Sequence, residues 1–297
     1  MRSSIKPVLK WAGGKSQLLP SLIQNFPDYV YEQDFCLVEP FVGGGALSLY
    51  VLSQFKNLKH LVINDYNKDL INVYRVIQQH VGELIQALEK IQHEYDKLLG
   101  VDDKRPYFLE KRELFNLRQQ GHVERAALFI FLNKAAFNGL YRVNKRNQFN
   151  VPIGSYKRPI FVQSELMWNL HQQLQHTTIL AGDYRQVIQH LPKNLPCLFY
   201  FDPPYRPISQ TASFNQYAEH GFDDQEQRNL QQFCQQIDHL GYQFLLSNSD
   251  PKHTDPNDDF FDVLYQDFHI QRIVANRAIS ASCEGRKAVT ELLIKNY

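Results

Sequence analysis

The 297-residue sequence contains no long apolar segment. Hydrophobic residues make up 43% of it and charged residues 21%. No run approaches the roughly 20 residues that a membrane-spanning helix needs. The basic N-terminal residues are not followed by the apolar core of a secretory signal. The composition is typical of a soluble globular protein, so we expect a cytoplasmic location and no membrane partner.

Paired cysteines and metal-binding clusters are also missing. The four cysteines stand far apart, at Cys36, Cys197, Cys234 and Cys283, and the eleven histidines show no metal-ligand spacing. Isolated cysteines without a Cys-x-x-Cys pair indicate reduced thiols. We therefore expect neither disulfides nor a metal site.

Two glycine-rich stretches lack complete phosphate-binding signatures. Gly14-Lys15-Ser16 matches the end of a P-loop, but Leu9 stands where that motif needs its first glycine. In the second stretch, 43–45, the third glycine of Gly-x-Gly-x-x-Gly is replaced by Ser48. The P-loop motif is thus rejected, and a hydride-transfer cofactor is only weakly supported.

Acidic residues are absent from one long segment of a chain whose net charge is only +1. No Asp or Glu lies between Arg125 and Ser164. The basic residues of this segment are Arg125, Lys134, Arg142, Lys145, Arg146, Lys157 and Arg158. Such a local concentration of positive charge favours nucleic-acid binding.

The N-terminal part shows half of a doubly wound nucleotide-binding pattern. Residues 36–39 read as a strand, 43–45 as a glycine turn, 46–55 as a helix and 60–65 as the next strand. Before them, we predict a helix that has Ser16 as its N-cap and ends near Pro27.

The pattern changes in the middle of the chain and then resumes. Residues 68–132 read as helical, and 133–159 as a polar hairpin with loops. From 166 onward, helices and strands alternate again, and two closing strands follow at 270–275 and 291–294.

Asp65 and Glu39 end two neighbouring strands of this pattern. The Asp65 carboxylate is placed to bind the two hydroxyls of a ribose, and Glu39 is placed to face an amino group. A cofactor with a ribose, an amino acid and a cationic centre fits both residues, and S-adenosylmethionine has these groups. Alternatively, Asp65 caps the helix that follows it.

The segment Asp202-Pro203-Pro204-Tyr205 follows the apolar residues 198–201, which read as a strand buried on both faces. Two prolines make the turn stiff. Because the turn follows the carboxyl end of a strand, it lies at the sheet edge where α/β proteins bind ligands. The carboxylate of Asp202 and the carbonyl of Pro203 are two acceptors suited to the two hydrogens of an aromatic amine. Tyr205 is suited to stack on a base. The alternative is a proline turn with a capping Asp.

Together these motifs resemble the Dam-type DNA adenine-N6 methyltransferases (D12 class, alpha group). The matching segments are Leu-Lys-Trp-Ala-Gly-Gly-Lys at 9–15, Val-Glu-Pro-Phe-Val-Gly-Gly-Gly at 38–45, Asn-Asp-Tyr-Asn at 64–67, Asn-Gly-Leu-Tyr-Arg-Val-Asn at 138–144, Phe-Asn-Val-Pro-Ile-Gly-Ser-Tyr-Lys at 149–157, Asp-Pro-Pro-Tyr at 202–205 and the C-terminal residues 277–297. Each motif alone is weak, whereas the whole series in register is specific.

The resemblance implies an α/β fold: a Rossmann-like S-adenosylmethionine-dependent methyltransferase sheet with helices on both faces. It also implies an inserted, mostly helical DNA-recognition domain with a β-hairpin. We accordingly expect a catalytic, S-adenosylmethionine-binding domain at 1–67 and 166–297 and a target-recognition domain at 68–165.

The resemblance also assigns roles to individual residues. The cofactor-binding residues would be Trp11, Ala12, Gly13, Lys15, Glu39, Phe41, Gly43, Gly45, Asp65 and Asp202, and the catalytic residues Asp202, Pro203, Pro204 and Tyr205. The DNA-binding residues would be Lys10, Phe137, Asn138, Leu140, Arg142, Asn144, Pro152, Tyr156 and Ser209. Among these, Lys10 and Arg142 would read bases, Phe137 would fill the gap left by a flipped base, and Ser209 would contact a phosphate.

The implied reaction is methyl transfer from S-adenosylmethionine to N6 of adenine in double-stranded DNA at GATC, by base flipping and direct transfer. We expect a monomer in solution that is associated with the nucleoid of a prokaryote or a phage-infected cell. A cognate restriction endonuclease acting separately is a candidate partner. The alternatives are an N-methyltransferase acting on RNA or a protein glutamine, and a non-catalytic DNA-binding regulator of the same fold.

Overall fold

Two strands without a single exposed residue lie at the centre of the sheet. They are β1 (Phe35–Glu39) and β4 (Cys197–Phe201), which pair in parallel. Their side chains are apolar apart from Glu39, so burial on both faces of the sheet stabilises the strands. The prediction of a doubly buried strand before Asp202 is confirmed.

The computed structural model describes residues 5–206, 222–275 and 289–297. The remaining strands are β2 (Leu58–Asp65), β3 (Thr177–Ala181), β5 (Gln243–Ser249), β6 (His269–Ala275) and β7 (Val289–Lys295). The sheet order is β3-β2-β1-β4-β5-β7-β6. Strands β2, β1, β4 and β5 run parallel, whereas β7 is antiparallel to both β5 and β6.

The helices are α1 (Leu19–Gln24), α2 (Tyr29–Glu32), α3 (Ala46–Gln54), α4 (Lys68–Gln79), α5 (Val81–Asp96), α6 (Val101–Leu117), α7 (His122–Ala135), α8 (Ser164–Gln173), α9 (Asp224–His239) and α10 (Phe260–Leu264). Helices flank the sheet, as in the packing of α4 against β3 and of α9 against β5. The predicted Rossmann-like α/β class is confirmed. In the part of the chain that the structure describes, no helix is long and apolar enough to cross a bilayer.

The N-terminal helix prediction is wrong in one respect. Ser16 lies inside a 3-10 turn, Lys15–Gln17, and α1 begins only at Leu19 without a side-chain cap. Pro20 occupies the first turn of α1, where its missing N–H costs nothing because that group has no helical partner. The chain therefore enters α1 through proline rather than through a serine cap.

The segment 133–159 forms a hairpin without regular strands. Its pairing consists of two isolated antiparallel bridges, Ala136↔Ile153 and Val143↔Phe149. The tip is closed by Asn144, which accepts hydrogen bonds from the N–H groups of Arg146 and Gln148. Backbone hydrogen bonds also join the two arms, among them Asn150 N to Arg142 O at 3.0 Å and Phe137 N to Pro152 O at 2.9 Å.

Two compact units make up the chain. One comprises residues 1–14, 43–54 and 64–183, and the other 15–42, 55–63 and 184–297. The division into a catalytic and a recognition domain at 68–165 stays a prediction. Cys36, Cys197 and Cys234 are buried free thiols, as expected, and Cys283 lies outside the described residues.

Candidate active site and nucleic-acid interface

The Asp202 carboxylate, at the end of β4, is held through one of its two oxygens. Lys15 Nζ lies 3.0 Å from Oδ1, and Ser247 Oγ donates to the same oxygen at 3.2 Å. Among the described residues, none donates a hydrogen bond to Oδ2. The side chain of Asp202 is 20% exposed, so an acceptor remains available at the sheet edge.

Lys15 also orders the aromatic residue of the turn. Its ammonium donates to the Tyr205 hydroxyl and lies 3.7 Å from Glu291 Oε2. The Tyr205 hydroxyl donates in turn to Glu291 at 2.7 Å. The ammonium also sits 4.3 Å from the ring centroid of Tyr205, so Lys15 contacts this residue at the hydroxyl end of its ring.

The protonation states follow from burial and from these contacts. Burial raises the pKa of Asp202, and the charge and hydrogen bond of Lys15 partly oppose this effect. Burial, reinforced by the Asp202 and Glu291 charges, raises the pKa of Tyr205 well above its usual range. Tyr205 thus remains a neutral phenol that donates a hydrogen bond to Glu291.

The glycine loop, in the other unit, has no room for side chains. A Cβ on Gly43 would lie 2.8 Å from the Trp11 ring, and one on Gly44 would lie 2.9 Å from Trp11 Cβ. A Cβ on Gly45 would meet the Tyr74 hydroxyl at 2.6 Å. Gly43 and Gly45 also have positive φ, at +48° and +71°, which glycine tolerates best. The loop therefore requires glycine for the close approach of Trp11.

Asp65 fastens this loop to the end of β2. Its Oδ2 accepts a hydrogen bond from Gly43 N at 3.0 Å, and its Oδ1 accepts one from Asn67 N at 2.9 Å. Burial raises the pKa of Asp65, while these backbone N–H groups oppose the rise. The N-cap of α4 is Asn67, which accepts from Asp69 N and Leu70 N, so the capping alternative for Asp65 is wrong.

The other predicted cofactor residues are divided between the two units. Ala12 and Gly13 are exposed next to the half-buried Trp11. In the second unit, Glu39 is buried at the end of β1, and the Phe41 ring lies 5.1 Å from the ring of Tyr184. Lys15, predicted as a cofactor residue, contacts Asp202, Tyr205 and Glu291, and its cofactor role stays a prediction.

Lys10 is fixed by the fully buried Asn133. The Asn133 amide accepts from Lys10 N at 2.9 Å and donates to Lys10 O at 2.8 Å and to Gly139 O at 2.9 Å. The exposed Lys10 side chain runs across Gly139, and its Nζ donates to the Tyr156 hydroxyl at 3.1 Å.

The neighbouring cation Lys134 is affected by its surroundings. Burial lowers the pKa of Lys134 to about 8, and repulsion from the positive charge of Lys10 adds a smaller decrease.

A turn at 137–139 projects an aromatic ring into solvent. Phe137 is 51% exposed although its N–H is bound to Pro152 O at 2.9 Å. Asn138 and Gly139 both have positive φ, which reverses the chain directly behind the ring. Phe137, Asn138 and Pro152 are all exposed at this turn.

Arg142 is braced across the hairpin by one partner. Its Nε donates to Asn150 Oδ1 at 2.7 Å, and Nη2 lies 3.5 Å from Asn150 O. Within the described ranges, Nη1 donates no hydrogen bond. Leu140 and Asn144 are half-buried nearby in the sequence, whereas Ser209 lies outside the described residues.

Sequence reasoning missed the polar side chains that support the predicted residues. Ser247 and Glu291 contact the Asp202–Tyr205 turn, and Asn133 holds Lys10. No distinctive residue spacing marks their roles, since each is an ordinary polar residue of a strand or helix that folding brings next to a distant segment.

Known proteins resemble this chain over nearly its whole length. The family model of the D12 class N6 adenine-specific DNA methyltransferases matches residues 11–279. The chain is 39% identical to the type II methyltransferase M.MjaIII of Methanocaldococcus jannaschii, over 99% of both chains. It is 36% identical to the type II methyltransferase M1.LlaDCHI of Lactococcus lactis, over 99% of this chain and 96% of that one. It is 33% identical to a DNA adenine methylase of Haemophilus influenzae, over 97% and 92%.

Replacing Lys15 by methionine should raise the pKa of Asp202 further, because burial remains while the opposing charge is lost. In this variant the folded state holds the Asp202 proton more tightly than the unfolded state does. The free energy of unfolding should therefore fall more than in wild type as the pH rises through the pKa of Asp202 in the folded protein. A carbon-13 titration of the aspartate carboxyls measures the shift. Lys59→Met, at the exposed pair with Asp34, is the control and should leave Asp202 unchanged. An unchanged or lowered pKa in Lys15→Met would contradict the assignment.

Proposed function

The chain belongs to the D12 class of N6 adenine-specific DNA methyltransferases, and we propose that it methylates GATC sites by flipping the target adenine out of the duplex. It is an enzyme that methylates adenine in DNA with S-adenosylmethionine as the methyl donor. The proposal concerns the target sequence, the flipped base and the direct transfer. The observation that carries it is the Asp202 carboxylate, which is anchored through Oδ1 and receives no donor on Oδ2 from the residues that the structure describes.

The turn supplies what an aromatic amine lacks as a nucleophile. The lone pair of adenine N6 is delocalised into the ring, and acceptors on both amino hydrogens draw the nitrogen toward tetrahedral geometry. Asp202 Oδ2 is one acceptor in this proposal, and the Pro203 carbonyl is the other. Lys15 and Ser247 keep the carboxylate in place before substrate arrives, and such preorganisation lowers the barrier.

Tyr205 would stack on the flipped adenine. Its hydroxyl is held by Lys15 and Glu291, so the ring is fixed before binding, and stacking on a base is worth roughly 1–3 kcal/mol. Removing a base from the duplex costs a few kcal/mol. The exposed ring of Phe137 would offset part of that cost by filling the vacated position.

The residues around the glycine loop fit the cofactor. Loop backbone without side chains at 43–45 allows a ligand to approach closely, and Asp65 retains acceptor capacity for ribose hydroxyls beyond its backbone bonds to Gly43, Tyr66 and Asn67. We assign Trp11 to the methionine part and Glu39 to an amino group. When bound, the cofactor supplies an electrophilic methyl on a sulfonium centre, and the role of the chain is to align the acceptor amine with it.

Sequence recognition is assigned to the segment around Lys10 and 133–156. Lys10 is an exposed cation on a backbone fixed by Asn133. Arg142 Nη1, which has no acceptor among the described residues, suits a guanine, because guanidinium donors bind O6 and N7 in the major groove. The surrounding acid-free segment would supply phosphate affinity that weakens with salt.

We also propose that the protein is a cytoplasmic, nucleoid-associated monomer. Its candidate partner is a cognate restriction endonuclease that acts separately. Type II methyltransferases are among the relatives, which favours an endonuclease partner. Membership in a DNA methyltransferase family argues against RNA or protein glutamine as the substrate.

Asp202→Ala should lower the rate of methyl transfer at least about 100-fold, because one acceptor for the hydrogens of the adenine amino group is lost. Duplex binding should change by less than threefold. The measurement is single-turnover transfer of labelled methyl to GATC duplexes, with RNA and protein as parallel substrates. Asp34→Ala, at an exposed site, is the control. Equal losses of DNA binding and methylation would make Asp202 a structural residue.

Expression of the wild-type chain and of Asp202→Ala in cells that lack adenine methylation tests the target sequence. Genomic DNA from cells expressing the wild-type chain should resist an endonuclease that cuts only unmethylated GATC, and DNA from Asp202→Ala cells should be cut. If wild-type DNA is cut while methyl label is still incorporated, the target is a different sequence.

Arg142→Ala should relax sequence choice by roughly 5- to 150-fold, the range expected for losing a contact worth about 1–3 kcal/mol of discrimination. Affinity for random DNA should change little. Competition between GATC and singly altered duplexes measures both quantities. Lys145→Ala, on the exposed tip of the same hairpin, should weaken all duplexes alike and reduce the salt dependence. A uniform loss in Arg142→Ala would reduce Arg142 to a phosphate contact.

A further inference from the structure

The two prolines of the Asp202–Tyr205 turn create an anchoring problem. Neither Pro203 nor Pro204 has an N–H group, so backbone donors at these positions cannot fix the turn, and donors must come from elsewhere. Gln227, in the first part of α9, meets this need because its Nε2 donates to Pro204 O at 3.2 Å. Its side chain is completely buried.

A second buried amide fixes the orientation of the first. Asn248 Nδ2, on β5, donates to Gln227 Oε1 at 3.1 Å, and Asn248 Oδ1 accepts from Ser249 N at 2.9 Å. With its oxygen occupied by a donor, the Gln227 amide must direct Nε2 toward Pro204. Asn248 is also completely buried, and a satisfied buried network of this kind specifies one arrangement.

The neighbouring residue of β5 holds the other end of the turn. Ser247 donates to Asp202 Oδ1, while its own oxygen lies 3.0 Å from the Tyr200 hydroxyl. Successive side chains of a strand point to opposite faces of the sheet. Ser247 and Asn248 therefore reach the turn by two routes, one to the carboxylate and one, through Gln227, to the Pro204 carbonyl.

We infer that Gln227 and Asn248 are positioning residues that set the place of the Asp202–Tyr205 turn for methyl transfer. The inference rests on the proposed function of that turn. Neither residue touches the substrate in this account. They act through Pro204, and their effect falls on the transfer step rather than on binding, because a misplacement of about 1 Å can cost about 100-fold in rate.

Gln227→Glu is the most direct test. In its ionised form the new carboxylate still accepts from Asn248 but cannot donate to Pro204 O, which then faces a negative charge; the protonated acid could still donate, so Gln227→Met is measured alongside it. The single-turnover methylation rate should fall at least about tenfold, with dissociation constants for S-adenosylmethionine and for GATC duplex within twofold of wild type. Gln225→Glu is the matched control, since Gln225 makes a similar bond to Asn229 on the exposed side of α9; its rate should be unchanged.

Two further variants separate positioning from stability. Gln227→Met removes the donor without adding charge, and its methylation rate should fall by the same factor. This variant carries the test if Gln227→Glu is poorly folded. Ile237→Val, at a buried position of α9, provides a stability loss without touching the amides. A rate loss in Ile237→Val equal to that of Gln227→Met at a matched melting temperature would overturn the inference, as would a wild-type rate in folded Gln227→Met. An active Asp202→Ala enzyme would instead overturn the proposed function.

Discussion

The ion pair between Lys15 and Asp202 is the interaction on which the rest of the site depends. Lys15 is only 6% exposed, and a buried ammonium is costly unless it is paired and hydrogen-bonded. Asp202, Glu291 and the Tyr205 hydroxyl satisfy it together. The pair occupies one oxygen of the carboxylate and fixes the aromatic ring, so the turn is ordered before any substrate binds.

The location of this pair follows from the sheet. Parallel strands end at one edge, and ligands of open α/β sheets bind there. Asp202 ends β4, and Ser247 lies near the end of the paired strand β5. The antiparallel strand β7 contributes Glu291, which is paired in register with Ser249. The adjacent ends of three strands thus supply the acid, its hydroxyl donor and the partner of the tyrosine.

Local sequence patterns predicted the buried strand before Asp202 and the alternation of helices and strands, but not the residues that support the predicted site. The run before Asp202 is apolar enough to predict a buried strand, and its two prolines predict the turn. Ser247, Glu291 and Gln227 could not be found in this way, because their roles arise from strand pairing and helix packing between distant segments. The Ser16 cap failed because Ser16 lies in a separate 3-10 turn and α1 begins only at Leu19, and the Asp65 cap failed because Asn67 performs that function.

The most direct measurement is a crystal structure of the enzyme with a GATC duplex and an S-adenosylmethionine analogue that lacks the transferable methyl. The account predicts an extruded adenine whose N6 lies about 3 Å from Asp202 Oδ2, a hydrogen-bond distance, while Lys15 and Ser247 remain on Oδ1. An adenine still stacked in the duplex, or an N6 beyond hydrogen-bond reach of both Asp202 and Pro203, would contradict it.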